Sequence, residues 1–316
     1  QRGSMNALGF HIPRRFDKIL DIDHCYLQPE PSNAIRLWAK QYAEQKGLEF
    51  YNQRQQVGFM RNVMIRTAST GEVMVVVIFA QNRAAVIDDF MSSLYSHFPE
   101  ITCLQYIINP KLNSAFHDLQ VHHFAGKPYI MEAMEELRFR VGATSFYQTN
   151  SDQALQLYRL VDKLAAATKS DLVYDLYTGT GTIAQFIARK AGQVVGVEYV
   201  EAAVEDARQN AILNQLENTS FFAGDMAKVL NSDFIEKNGR PQIVITDPPR
   251  AGMHPDVVYQ IIQMAPDRIV YVSCNPATQA RDLAQLSETY QVVEIHPVDM
   301  FPHTHHVENV VLLTRR

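Results

Sequence analysis

Leu172-Val173-Tyr174-Asp175-Leu176-Tyr177-Thr178-Gly179-Thr180-Gly181-Thr182-Ile183-Ala184-Gln185 sets the architecture of this chain. The first five residues form an apolar run broken by one acid and read as a buried strand. Two glycines follow, at a turn where the backbone can approach a ligand closely. The segment from Thr182 to Lys190 then reads as a helix. A strand, a glycine turn and a helix in succession make the first half of a βαβ unit. The pattern continues downstream. Val194-Val195-Gly196-Val197 is the next strand, ending at Glu198, and a helix over about 200–214 follows. Ser220-Phe221-Phe222 and Ile243-Val244-Ile245-Thr246 are further strands, and Pro255 to Met264 is a helix. Arg268-Ile269-Val270-Tyr271-Val272 is a strand, with a helix from Pro276 to about Ser287. Val292 to Ile295 and Val307 to Leu313 close the series without a helix between them, as in an antiparallel hairpin. Repeated βα units imply a parallel sheet with helices on both faces.

Upstream the pattern is less regular. Asn33–Lys46 and Asp88–His97 read as helices; Phe59–Thr67, Val73–Phe79 and Ile101–Ile108 read as strands. Leu137–Val141 and Phe146-Tyr147-Gln148 lead into the second region. We therefore expect a smaller α+β domain over 1–135 and an α/β domain over 136–316. Gln1-Arg2-Gly3-Ser4-Met5 reads as a cloning remnant ahead of the native segment.

The chain of 316 residues is 47% hydrophobic and 20% charged, an ordinary globular balance. No apolar run reaches the roughly 18 residues of a membrane span, and no leader pattern is visible. Three widely spaced cysteines, Cys25, Cys103 and Cys274, make no CxxC pair and imply a reducing, cytoplasmic setting. A net charge of −5 does not advertise nucleic-acid binding, yet a local basic groove can coexist with it.

Three groups of residues carry chemistry. The first is the glycine turn with Asp175 before it and Glu198 at the end of the next strand, about 20 residues on, where an acid can hold ribose hydroxyls. Gly179-x-Gly181-x-x-Ala184 also fits a relaxed dinucleotide fingerprint, so NAD(P) is an alternative. Against it, the carboxylate of Asp175 disfavours a pyrophosphate and suits an amino-acid ammonium. Asp225, after the third strand, is placed for an adenine amino group or is a solvated loop acid. The second group is Asp247-Pro248-Pro249-Arg250, a rigid turn that can also fix a functional carboxylate. The third is Ser273-Cys274-Asn275-Pro276. Cys274 follows a strand and precedes a helix, where the helix dipole favours a thiolate; a buried structural cysteine is the alternative. Phe301-Pro302-His303-Thr304-His305-His306-Val307-Glu308 adds an acid at a strand start, either a surface residue or, if it faces Cys274, a general base. Its three histidines lack the companion ligands of a metal site. A thiolate, a carboxylate base and an S-adenosylmethionine-type pocket together suit methylation of a carbon that is not nucleophilic by itself, such as uracil C5.

These motifs, in this order, resemble the RNA 5-methyluridine methyltransferase family, most of all the bacterial enzymes acting on 23S ribosomal RNA. The resemblance is strong over 142–316 and weaker upstream. It implies a class I, Rossmann-like methyltransferase domain that transfers a methyl group from S-adenosylmethionine to uridine C5 through a covalent cysteine adduct. It implies Cys274 as nucleophile and Glu308 as base. Gln148, Asp175, Tyr177, Gly179, Thr182, Glu198, Asp225 and Asp247 fall at cofactor-binding positions. Phe146 resembles an aromatic near the target base, with core packing as the alternative, and Arg250 contacts RNA or braces its loop. The implied partner is RNA, ribosomal by resemblance, with no membrane and no obligate protein partner. The family often has Cys at Thr178 and Asn at Thr182 and Asp225. Its members also carry an N-terminal RNA-binding barrel and a four-cysteine iron–sulfur cluster. Only Cys25 resembles a cluster ligand, and one cysteine cannot hold a cubane. The chain therefore reads as a segment lacking the barrel and most of the cluster region. A nitrogen or small-molecule methyltransferase and a non-catalytic RNA-binding protein are the competing readings.

Overall fold

The structure, a computed structural model, describes residues 6–302 and 304–316. The opening Gln1–Met5 stretch and His303 lie outside the described residues. The chain divides into two compact units. The first runs to Glu132 and includes Val141–Thr144; the second comprises Ala133–Arg140 and Ser145–Arg316. The boundary expected at 135/136 thus falls slightly earlier, and a short stretch returns to the first unit.

The first unit begins with a hairpin of β1 (Gly9–His11) and β2 (Ile19–Asp21), followed by α1 (Ser32–Gln45). Then come β3 (Met60–Thr67), β4 (Val73–Phe79), α2 (Ala84–His97), β5 (Ile101–Ile108) and β6 (Val121–Gly126). The last four strands form a sheet in the order β3-β4-β5-β6. Only β4 and β5 pair in parallel, and α2 is the crossover that this requires. Val73, Val75, Val77 and Phe79 of β4 share a core with Ile35 of α1 and with Ile87, Phe90 and Leu94 of α2. Their period of two and the helical period of three and four meet on one layer.

A two-stranded ribbon, β7 (Ile130–Met134) and β8 (Leu137–Val141), spans the unit boundary. The second unit continues with α3 (Ser151–Ala165), a helix that the sequence reading missed. The signal was present. Asn150 caps it through the Gln153 amide, and Ala154, Leu157, Tyr158, Val161 and Leu164 repeat at helical spacing on its buried face. The βα series follows: β9 (Leu172–Leu176), α4 (Thr182–Ala188), β10 (Gln193–Glu198), α5 (Glu201–Leu213), β11 (Thr219–Ala223), and the short α6 (Met226–Val229) and α7 (Ser232–Asn238). It ends with β12 (Ile243–Thr246), α8 (Pro255–Met264), β13 (Arg268–Ser273), α9 (Pro276–Leu286), β14 (Tyr290–Val298) and β15 (Glu308–Arg315). The sheet order is β11-β10-β9-β12-β13-β15-β14. All neighbouring pairs are parallel except those made by β15, which runs antiparallel between β13 and β14. Strand order reverses between β9 and β12, and such a switch point opens a crevice at the carboxyl ends of the strands. No helix among the described residues is long and apolar enough to cross a membrane.

Candidate active site

The loop after β9 forms one wall of the crevice. Tyr177, Gly179 and Gly181 all have positive φ (63°, 55° and 76°). For Tyr177 this backbone is uncommon and costly, so the surrounding structure over-determines it. Gly181 caps α4, and a Cβ there would lie 2.9 Å from Ala207. Gly179 differs: a Cβ would meet nothing within 4 Å. That glycine lines open space. Its amide donates to Glu198 Oε2 at 3.1 Å, while Glu198 Oε1 accepts from the Val200 amide at 2.9 Å. Both oxygens of Glu198 keep a second lone pair for hydroxyl donors.

Asp175 lies beneath this loop and is 1% exposed. Its Oδ2 accepts from Thr178 Oγ1 at 2.5 Å, while Oδ1 has no hydrogen-bond partner. Burial pushes its pKa up from 3.8 to about 7, against the Thr178 hydroxyl and the Ala184 backbone amide and with help from the nearby Glu198 charge. Thr182 is buried, its hydroxyl 3.3 Å from that of Thr180. Thr180 Oγ1 in turn donates to the Phe146 carbonyl at 3.3 Å. Phe146 itself is 68% exposed, which overturns core packing as its role. Gln148 is half-buried nearby in sequence. Asp225 is the N-cap of α6, accepting from the Ala227 amide, with Lys228 3.5 Å away. It is an ordered capping acid as well as a neighbour of the crevice strands.

The opposite wall is built by β12, β13, β15 and α9. Asp247 follows β12, and burial, with Glu308 and Asp175 nearby, holds its carboxyl well above the usual range. On the antiparallel β13·β15 ladder Ser273 pairs with Asn309. Cys274 and Glu308 are the next residues beyond that pair, and the Glu308 charge acts on the thiol. Glu308 also pairs with Val298 of β14, so it is flanked on both sides and only 9% exposed. Burial raises its pKa, with Arg250 opposing. The ladder end is pinned by Gln279 of α9. Its Nε2 donates to the Tyr271 and Asn309 carbonyls, and its Oε1 accepts from Asn309 Nδ2 at 2.6 Å.

The thiol expectation needs correction. The helix N-terminus was expected to lower the Cys274 pKa, but in the free protein it is raised. Burial is the first cause and the Glu308 charge the second; a hydrogen bond from Arg250 and its positive charge oppose them. Strands distant in sequence bring both acids, Glu308 and Asp247, to the thiol, which position along the chain does not reveal.

Arg250 is held by α9. Its carbonyl accepts from Asn275 Nδ2 at 3.0 Å and Thr278 Oγ1 at 3.2 Å. Sequence reasoning missed Asp282, the group that fixes this loop from below. It is fully buried, and its Oδ2 accepts from the Tyr271 hydroxyl at 2.6 Å and the Met253 amide at 2.8 Å. Its Oδ1 accepts from Arg281 Nε and Nη2 at 2.9 and 2.7 Å. Arg281 Nη2 then donates to the Ala251 and Met253 carbonyls. Gly252, at φ 78°, lies against this pair, since a Cβ would stand 2.6 Å from Arg281 Nη2. Asp282→Ala leaves a buried hydroxyl and amide unsatisfied and should cost about 3 kcal/mol. For a unit of this size that lowers the melting temperature by about 10 °C, readable by calorimetry. A change below about 2 °C would show that the carboxylate does not hold the loop.

Cys25 is half-buried ahead of α1, and its amide donates to Asn33 Oδ1 at 2.7 Å. Among the described residues no group of three or more His, Cys, Asp or Glu side chains is arranged to hold a metal ion.

The family model for tRNA (uracil-5-)-methyltransferase matches residues 125–316. The chain belongs to this family. It is 55% identical over 315 residues to an uncharacterized RNA methyltransferase of Bacteroides thetaiotaomicron, covering 99% of this chain and 69% of the relative. It is 56% identical over 313 residues to one of Porphyromonas gingivalis, covering 98% and 67%. Among solved structures it resembles the Pyrococcus abyssi tRNA (uracil-54, C5)-methyltransferase in complex with S-adenosyl-L-homocysteine. The TM-score is 0.80 at 31% identity, over 97% of this chain and 73% of the other. The protein is thus an S-adenosylmethionine-dependent RNA methyltransferase of the uracil-5 type, on a Rossmann-like α/β fold. The crevice fits that cofactor. Asp175 Oδ1 is a buried acceptor with no side-chain partner, Gly179 faces open space, and Glu198 offers acceptors beside it.

Proposed function

We propose that this protein methylates C5 of one uridine in ribosomal RNA, with Cys274 as nucleophile and Glu308 as general base. The observation that supports this most directly is the end of the β13·β15 ladder at Ser273 and Asn309, which leaves Cys274 and the buried Glu308 as the next residue on each strand, close enough for the Glu308 charge to raise the thiol's pKa. S-adenosylmethionine, when bound, supplies an electrophilic methyl group. Asp175 would take its ammonium, Glu198 its ribose hydroxyls, and Tyr177, Gly179 and Thr182 the remainder of the crevice wall. Gln148, Asp225 and Asp247 complete the cofactor contacts in this reading. On the RNA side, Phe146 presents an exposed ring for a flipped base to stack on.

The chain's own groups then account for the chemistry at the base. Arg250 stabilises the Cys274 thiolate by charge and hydrogen bond. The Cys274 Sγ–C6 bond forms as the C5–C6 π pair is displaced onto C5 and O4, which makes C5 nucleophilic. Once C5 carries the methyl group, Glu308 removes the C5 proton. That electron pair restores the double bond and expels the thiolate. A carboxyl whose pKa is raised by burial is a stronger base than an exposed one.

The direct test is mass spectrometry after incubating the full-length protein with S-adenosylmethionine and 5-fluorouridine-substituted 23S ribosomal RNA or tRNA. Fluorine cannot leave as a proton, so the adduct should persist on the peptide carrying Cys274. An adduct only with tRNA would move the target to the class named for the Pyrococcus neighbour. An adduct with neither, in protein that binds the cofactor, would remove the uracil-C5 assignment of this site.

The Asp175 assignment has its own signature. A carboxyl whose folded pKa is raised to about 7 keeps its proton after the unfolded chain has lost its own. Stability from this group therefore falls as pH rises from about 4 to about 7 and is flat above. An ammonium placed against it favours the carboxylate and returns the pKa toward its ordinary value. Cofactor binding should then release about half a proton at pH 7 and nearly one at pH 6, with affinity rising over that range. Calorimetry in buffers of different ionisation enthalpy reads the release directly. Heats that are independent of buffer would place the ammonium elsewhere.

A further inference from the structure

The β1–β2 hairpin of the first unit has an unusual surface. In Phe10-His11-Ile12-Pro13-Arg14-Arg15-Phe16-Asp17-Lys18-Ile19-Leu20 the strands pair Phe10 with Leu20 and His11 with Ile19. The tip is closed by the Ile12 amide on the Lys18 carbonyl and the Arg15 amide on the Ile12 carbonyl, both at 2.9 Å. It is an ordered turn, with Arg14 at φ 64°. Arg14, Arg15 and Lys18 are exposed, and among the described residues none of the three makes an ion pair. The acid between them is withdrawn. The Asp17 side chain is 6% exposed and pairs with Arg54 Nε at 2.7 Å. Phe16, between Arg15 and Lys18 in sequence, is 66% exposed, and the paired Phe10 and Leu20 are exposed at 59% and 56%.

Three exposed cations without ion pairs, flanking an uncovered aromatic residue in sequence in a chain whose net charge is −5, suit an anionic partner that also offers a flat apolar face. A protein segment covering the ring alone would leave the charges uncomplemented. A single RNA strand supplies both, with phosphates for the cations and the π-face of an unpaired base for the ring. We infer that the hairpin tip is a second RNA contact, remote in sequence from the methylation site. There Arg14, Arg15 and Lys18 take phosphates and Phe16 stacks on a base other than the one methylated. This rests on the reading of the protein as an RNA enzyme and adds the surface that orients the strand.

The test is the salt dependence of binding between the full-length protein and a labelled 20-nucleotide single-stranded RNA of mixed sequence. Each phosphate contact on a single strand contributes about 0.7 to the slope of log affinity against log salt. The triple variant Arg14→Ala, Arg15→Ala, Lys18→Ala should flatten the slope by about 2, and Arg14→Lys, Arg15→Lys should restore most of it. Phe16→Ala should weaken binding about tenfold at constant slope, while Phe16→Tyr should not. All of these positions are solvent-facing, and unchanged S-adenosylmethionine affinity reports an intact second unit. Wild-type slope and affinity in the triple variant would overturn the hairpin contact while leaving the uridine chemistry standing. Absence of binding to this RNA by the unaltered protein would also overturn the hairpin contact, while the uridine chemistry is decided by the 5-fluorouridine adduct.

Discussion

A Cys274→Ala protein is expected to lose uridine methylation by about 10 000-fold or more while keeping its affinity for S-adenosylmethionine. Losses of that order follow when a covalent nucleophile is removed, because the remaining groups act as a unit with it. Without the Sγ–C6 bond, C5 has no carbanion character, and the acids and Arg250 have nothing to act on. Cofactor affinity is spared because Cys274 is assigned no cofactor contact, and Asp175, Gly179 and Glu198, among the groups that are, lie on the β9–β10 wall. A methyltransferase acting on nitrogen would need no thiol, so retained activity in this variant would end the covalent reading. The pH profile adds a second readout. The free thiol titrates above its ordinary value of 9.0, so the thiolate fraction rises with pH through 9. Adduct formation on 5-fluorouridine RNA should therefore accelerate about tenfold per pH unit between 7 and 8. Arg250→Ala removes a group that opposes the upward shift. It should slow trapping at pH 7.5 and move the profile to higher pH, which a merely structural role for Arg250 would not do.

The sequence was most informative where local pattern and chemistry coincide. The parallel strands of the second unit are short runs with buried sides, and the helices after Gly181 and Asn275 start at cap residues, so these elements are visible in their own windows, whereas the short α6 and α7 were not read. The final hairpin was legible because no helix-like period separates its strands. What stayed hidden depends on register and on groups far apart in sequence. Glu308 reads equally as a surface strand-end acid until the β13·β15 ladder brings its charge to Cys274 and pairing with Val298 of β14 buries it. The upward shift of the thiol depends on two acids carried by other strands. Asp282 looks like any polar residue on an amphipathic helix, because its partners Tyr271 and Met253 lie on a strand and a loop packed beneath it. The missed helix α3 is a different failure. Its cap and period were readable, but it precedes the first strand of the βα series, where no βα rhythm announces it.

The Glu308→Gln protein should make the adduct and fail to release it. Glutamine has the size of glutamate and can keep the strand start in place, but it cannot accept the C5 proton. Methyl transfer to C5 would still occur once, since it needs only the Cys274–C6 bond and the bound cofactor. The C5 proton then has no base, the double bond cannot re-form, and Sγ stays on C6. Loss of a positioned base is worth about 100- to 10 000-fold in turnover. The expected product is a complex of protein and ordinary uridine RNA that survives denaturation and carries label from methyl-labelled S-adenosylmethionine. Asp247→Asn serves as the contrast. Its carboxyl belongs to the same buried acid cluster, yet the reading gives it a cofactor contact, so it should weaken cofactor binding and accumulate no adduct. Unchanged turnover in Glu308→Gln would free that residue of the base role. A complex trapped by Asp247→Asn instead would transfer the role to the neighbouring carboxylate, which shares the crevice edge with Glu308 and Cys274.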